Sequence, residues 1–133
     1  MLKNVDHIAI VVKNLDESLA FYEKTFGLRA TKVETLSEQR VKAALLPVGH
    51  SEIELIQPID TESGVAKFLE TRGEGIHHIC LEVDDVDKAL EELTKRGVQP
   101  IDKKGRKGLA GKVAFLHPKS TRGILIELAQ KVH

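Results

Sequence analysis

A short pattern occurs twice in this chain, and each copy carries a histidine in its first strand-like segment and a glutamate in its last. The first copy runs from Asp6-His7-Ile8-Ala9-Ile10-Val11-Val12 to Glu52-Ile53-Glu54-Leu55-Ile56. The second runs from His77-His78-Ile79-Cys80-Leu81-Glu82-Val83 to Ile124-Leu125-Ile126-Glu127-Leu128. His7 and His78 are 71 residues apart, and Glu54 and Glu127 are 73 apart. A duplicated unit with a metal-ligand residue type at each end suggests two half-sites that converge on one ion.

The segment from His7 to Val12 is β-branched and apolar, which predicts a buried strand. Side chains alternate along a strand, so His7, Ala9 and Val11 share one face while Ile8, Ile10 and Val12 share the other. The large aliphatics are expected under helices, leaving His7 with small neighbours on a face suited to lining a cavity. Asn14 is placed to cap a helix, with Glu17 set for a capping box. Leu15, Leu19, Tyr22 and Phe26 fall at helical spacing, and Gly27 supplies the stop. Strands over residues 29–35, 39–47 and 51–57 complete a βαβββ unit. The second copy repeats it with a strand over 77–83, a cap at Asp84 or Asp85, and a helix presenting Val86, Leu90 and Leu93 before Gly97. Residues 112–116 then match 42–46, and 123–129 match the fourth strand. Between the copies, Thr61-Glu62-Ser63 caps a short helix with Val65, Phe68 and Leu69 inward. The expected fold class is α/β in the α+β sense: two tandem βαβββ modules, about 4–58 and 75–130, in a single domain.

Composition removes several function classes. Lys plus Arg equals Asp plus Glu at 20 each, so no general nucleic-acid-binding surface is expected. No apolar run reaches the roughly 20 residues needed to span a bilayer. One cysteine, Cys80, and an N-terminal stretch without an apolar core make a cytoplasmic location the expectation.

Strand parity selects the ligands. His78 shares a face with Cys80 and Glu82, whereas His77 shares one with Ile79, Leu81 and Val83; the match to His7 makes His78 the ligand and His77 a packing residue. Glu54 and Glu127 lie inside aliphatic strands, where a carboxylate is costly to bury without a cation or hydrogen bonds. Any one of the four alone reads as an ordinary interior imidazole or a solvent-facing carboxylate. Together, set symmetrically by the duplication, His7, Glu54, His78 and Glu127 predict a site for one divalent ion. Two imidazoles with two carboxylates suit Co, Mn, Ni, Zn or Mg, and four protein ligands leave two octahedral positions for water or substrate. Cys80 reads as a small buried apolar residue rather than a fifth ligand or nucleophile. The stretch from Lys103 to Lys112 offers Lys103, Lys104, Arg106 and Lys107 on a glycine-flexed segment, fit for a phosphate-bearing ligand or for a plain solvated loop. Lys119 and Ser120, in the turn His117-Pro118-Lys119-Ser120, either reach a substrate carboxylate or cap the turn.

Paired βαβββ units with ligands on their first and fourth strands resemble the vicinal oxygen chelate (glyoxalase) superfamily. The opening Val5-Asp6-His7-Ile8-Ala9, the segment from Asp60 to Leu69, Gly73-Glu74-Gly75-Ile76-His77-His78-Ile79, Phe115-Leu116-His117-Pro118-Lys119-Ser120 and the closing Leu125-Ile126-Glu127-Leu128 resemble, within it, the methylmalonyl-CoA epimerases. The resemblance implies an open barrel-like metal-binding cleft, a divalent ion with cobalt foremost, methylmalonyl-CoA as substrate and a homodimer. It implies epimerisation at C2 through a metal-stabilised enolate, with Glu127 both ligand and acid/base group. The chain departs from some members in carrying Ala43 where they have a glutamate, and Glu54 where they have a glutamine. Glu54 leaving the metal, a metal-bound water or another residue must then supply the second acid/base group. Rival readings are a lactoylglutathione lyase, which uses a similar ligand set, and a metal-free binding protein of the same superfamily.

Overall fold

In the computed structural model, which describes residues 1–108 and 111–131, the chain runs β1 (Leu2–Val11), α1 (Leu15–Phe26), β2 (Lys32–Leu36), β3 (Val41–Val48), β4 (Ser51–Pro58), α2 (Gly64–Arg72), β5 (Gly75–Val83), α3 (Val86–Lys95), β6 (Arg106–Gly108), β7 (Gly111–Leu116) and β8 (Ile126–Gln130). The fold is mixed α/β and repeats βαβββ, as the sequence predicts. Its compact units are His7–His77, and Met1–Asp6 with the chain from His78 onward. Among the described residues no helix is long and apolar enough to cross a membrane.

In the first unit the sheet order is β2-β3-β4-β1, with β1 parallel to β4 and the other pairs antiparallel. The Asn14 side chain accepts a hydrogen bond from the Glu17 N–H at 3.0 Å, and Gly27 ends α1 at φ 71°, a left-handed position that glycine adopts without a Cβ clash. Leu15 of α1 is fully buried with Ala44, Leu46 and Leu55 of the sheet, and Leu19 and Tyr22 pack against them. Burying each such leucine stabilises the unit by about 1.5–3 kcal/mol. Phe26 departs from expectation: it is 61% exposed, because the helix ends there and its ring turns back onto Phe21 and Tyr22. Val12 is buried with this core and the half-buried Ile10 packs against it, as expected; Ile8 is also half-buried. Ser63 caps α2 through the Ala66 N–H, and Val65, Phe68 and Leu69 are half-buried along that helix.

In the second unit the order is β5-β8-β7-β6, again with the first strand parallel to the last. Asp85, not Asp84, caps α3 by accepting from the Lys88 N–H at 3.1 Å. Val86, Ala89 and Leu90 bury against Val83, Ala114, Leu116 and Leu128. The basic segment is in part a strand rather than a flexed loop: β6 pairs Arg106 with Val113 and Gly108 with Gly111. Leu109 and Ala110 lie outside the described residues. Gly111 is required at its place, since it holds φ 121° and a Cβ there would lie 2.4 Å from the Gln130 carbonyl oxygen.

The last strand of each unit also fixes the start of that unit's helix. Gln57 Oε1 accepts from the Leu15 N–H at 2.7 Å, and Gln130 Oε1 accepts from the Val86 N–H at 3.0 Å. Both bonds satisfy helix N–H groups that have no partner within the helix.

Candidate functional site

Register places the ligand candidates of each unit on one sheet face. Ala9 pairs with Glu54 and His7 with Glu52, so alternation puts His7, Ala9 and Glu54 on the face opposite α1. Cys80 pairs with Glu127, which puts His78, Cys80 and Glu127 on the corresponding face of the second unit. His7, Glu54, His78 and Glu127 are each between 5% and 8% exposed. Within the first unit His7 Nε2 stands 3.8 Å from Glu54 Oε1, and within the second His78 Nε2 stands 3.0 Å from Glu127 Oε1. Each predicted histidine therefore meets its predicted glutamate.

The donor set tests well against a divalent cation. Burying carboxylates this deeply in aliphatic strands calls for compensating positive charge or hydrogen bonds, and imidazole with carboxylate is the donor chemistry of borderline and hard divalent ions. His7, Glu54 and His78 are candidate ligating groups on these grounds.

The residues around the pairs differ in what they do. His77 is half-buried and meets the Phe68 ring edge-to-face with the ring centroids 5.0 Å apart, which fits packing. Cys80 is fully buried with Val113 and Ala129. Asp6 is 2% exposed and receives the Lys131 ammonium at 2.6 Å, a tie between β1 and the end of β8 that the sequence does not signal. Phe115 pairs with Glu127 and meets the His78 ring edge-on at 5.4 Å. Arg106 lies over the Phe115 ring at 5.6 Å and is held from behind by Asp102 at 3.1 Å.

The basic set is thereby divided. Arg106 shares the face of His78 and Glu127, because it pairs with Val113, which pairs with Ala129. Lys107 pairs with Lys112 and falls on the other face, where Lys112 is bound by Asp87. Asp87 accepts from the Gly105 N–H at 2.8 Å, and this bond, followed by that from Lys112, holds its carboxyl below the usual carboxylate range. The Asp87 hydrogen bond in turn pushes the Lys112 ammonium up. Lys103 lines a shallow hollow with Asp87, Leu90 and Thr94. Lys119 is exposed. Ser120 closes its turn: the hydroxyl donates to the His117 carbonyl and accepts from the Gln99 N–H, both at 2.9 Å.

Residues 6–115 match the model of the glyoxalase/bleomycin resistance protein/dioxygenase superfamily. The ethylmalonyl-CoA/methylmalonyl-CoA epimerase of Cereibacter sphaeroides is 35% identical over 98% of this chain and 99% of its own length. The human mitochondrial methylmalonyl-CoA epimerase is 35% identical over 97% of this chain and 74% of its own length. A solved methylmalonyl-CoA epimerase in complex with methylmalonyl-CoA and ammonium superimposes with a TM-score of 0.93 at 34% identity, covering 99% of this chain and 96% of that one.

Proposed function

The chain belongs to the methylmalonyl-CoA epimerases, a family of the glyoxalase/bleomycin resistance protein/dioxygenase superfamily, and from that membership we propose that it interconverts (R)- and (S)-methylmalonyl-CoA with the aid of one divalent ion. The observation that carries this reading is the duplicated buried pair, His7 with Glu54 and His78 with Glu127, in a chain so similar to epimerases over its whole length. These four residues would hold the ion, with cobalt first among Co, Mn, Ni, Zn and Mg.

The hydrogen at C2 of the substrate lies between a thioester and a carboxylate. Its removal leaves an enolate, and the chemistry that a bound divalent ion supplies is Lewis-acid stabilisation of that charge, on the order of several kcal/mol. Glu127 is read as an acid/base group at C2 as well as a ligand, with Glu54 a ligand able to serve at the other side of the substrate. Interconversion needs a proton taken from one face of the planar intermediate and returned to the other. Arg106, with Lys103 and Lys104 beside it in sequence, is read as the anchor for the CoA phosphates. Lys107 and Ser120 contribute less, given their placement. The chain is read as a single domain of two modules, the protein as a cytoplasmic homodimer, in keeping with the prevalence of two-fold symmetric oligomers.

The test is proton exchange: methylmalonyl-CoA incubated with the cobalt-loaded protein in deuterated water takes up label at C2, followed by NMR. No uptake above background defeats the reading.

A further inference from the structure

Besides Glu54, the ligand face of the first unit carries two further carboxylates, Glu34 and Glu52. Register runs from Val11 through Ile56 and Ala43 to Glu34, so Glu34 stands on the same face as His7 and Glu54, two strands from β4. In the row that joins Glu34 to Ile56 of β4, the intervening residue is Ala43, whose side chain is only a methyl, so no long side chain of that row stands between the carboxylate and β4. Glu34 is half-buried, and Lys32, also on this face, meets Glu34 Oε1 at 3.4 Å. Lys32 and Glu34 are two residues apart on β2, so their ion pair keeps the carboxylate on the ligand side of that strand.

The second unit shows what this register position can reach. Its equivalent is Arg106, opposite Val113 as Glu34 is opposite Ala43, and Arg106 extends over Phe115, which edges the ligand His78. The long arginine thus reaches from the outermost strand to the residue of the next strand that edges the ligand pair, and Glu34 holds the same register position in the first unit. Of the other acidic residues on the first unit's ligand face, Glu54 is committed to its histidine at 3.8 Å. Glu52 pairs with Pro47 at the β3–β4 turn, away from Ala43.

We propose that Glu34 is the acid/base group that exchanges the C2 proton on the substrate face opposite the one served by Glu127. The inference rests on the epimerase reading. In one direction the C2–H bond breaks, its electron pair passes into the thioester as the enolate, and the Glu34 carboxylate becomes a carboxylic acid. The Glu127 carboxyl then delivers its proton to the other face of C2, and both side chains reset by exchange with solvent. The reverse direction uses the same two groups with their roles exchanged.

The test follows each epimer separately in deuterated water with wild type, Glu34→Gln and Glu34→Asp, all cobalt-loaded, alongside metal content and melting temperature. Glu34→Gln should lose about 100-fold or more in interconversion, within the range for loss of a positioned acid/base group. It should still exchange the C2 proton of one epimer without inverting it, and keep its metal. Glu34→Asp should recover part of the interconversion. A Glu34→Gln protein that interconverts within threefold of wild type overturns the proposal, as does loss of exchange from both epimers together, the mark of a structural role. An inert wild-type protein removes the epimerase reading itself, whereas an active wild type with a dead, metal-loaded Glu54→Gln and an active Glu34→Gln gives the second acid/base role to Glu54.

Discussion

The two modules are alike where they hold a ligand pair and a helix cap, and unlike in the residues around those pairs. Both bury a histidine beside a glutamate, at 3.8 Å in the first and 3.0 Å in the second. Both use a glutamine three residues beyond the glutamate to cap the helix. Around these constants the charge differs: on the ligand face the outermost strand carries the Glu34–Lys32 ion pair in one module and Arg106 in the other, and Leu45 on β3 is answered by Phe115 on β7. A duplication preserves what both copies need and lets the rest diverge, so each difference between the modules is a candidate for a separate task toward one asymmetric substrate.

The largest effect that tests this division is at Glu127. Glu127→Gln keeps an oxygen donor but has no proton to move, so interconversion, and solvent exchange from the epimer whose proton Glu127 takes, should fall by about 10²–10⁴-fold while metal analysis shows the ion retained. Glu54→Gln should keep substantial turnover if the first module's glutamate is mainly a ligand, so the pair of variants reads the asymmetry directly. The histidines should show the opposite pattern: His7→Ala and His78→Ala should each weaken metal binding by more than the 10–100-fold that loss of an outer supporting group costs, and to a similar extent. Calorimetric titration with Co²⁺ measures both.

Charge divergence predicts an effect on substrate affinity rather than on the ion. Arg106→Glu should raise KM for the CoA thioester about tenfold, equivalent to about 1.4 kcal/mol, and leave metal content unchanged. Lys107→Glu, on the opposite face, should change it far less. Equal effects from the two would undo the register assignment.

The shared caps predict smaller, matched losses. Gln57→Ala and Gln130→Ala should each lower unfolding free energy by about 1 kcal/mol in denaturant titrations. Smallest is the pH response of the Asp87 contacts, which only the second module has. Because the Asp87 carboxyl is held low, its stabilisation is present above the ordinary carboxylate pKa and fades as pH falls through the lowered one; Lys112, held high, loses its share only as pH rises past the ordinary lysine range. The protection of the Gly105 amide, taken as its exchange rate relative to the intrinsic rate at each pH, should fall at acidic pH, and Asp87→Asn should abolish that dependence.

The ligand pairs were legible because alternation is arithmetic: once residues 7–12 are a strand, the faces of His7 and Ile8 follow, and the repeat transfers that parity to His78. The helix starts were legible through Asn14 and Ser63, whose side chains compete for backbone N–H groups wherever they stand. The role of β6 was hidden because three residues, Arg106 to Gly108, give no periodicity, and glycines and cations there read equally as loop. Phe26 misled because helical spacing says which residues share a stripe, not whether the sheet extends far enough to cover its last turn. Glu34 and the Asp6–Lys131 tie needed strand pairing, a long-range fact that no window of sequence contains.

The three-residue step from Glu54 to Gln57, repeated from Glu127 to Gln130, has a consequence for how the chain finds its pairing. An odd step along a strand points the two side chains to opposite sides, so one strand end serves the ligand pair with its glutamate and the helix with its glutamine. A slip by one residue would press the carboxylate onto the apolar underside of the helix and strip that helix of its cap in the same stroke. Misregistered intermediates are therefore penalised twice at one place, and each half of the molecule proofreads its own assembly.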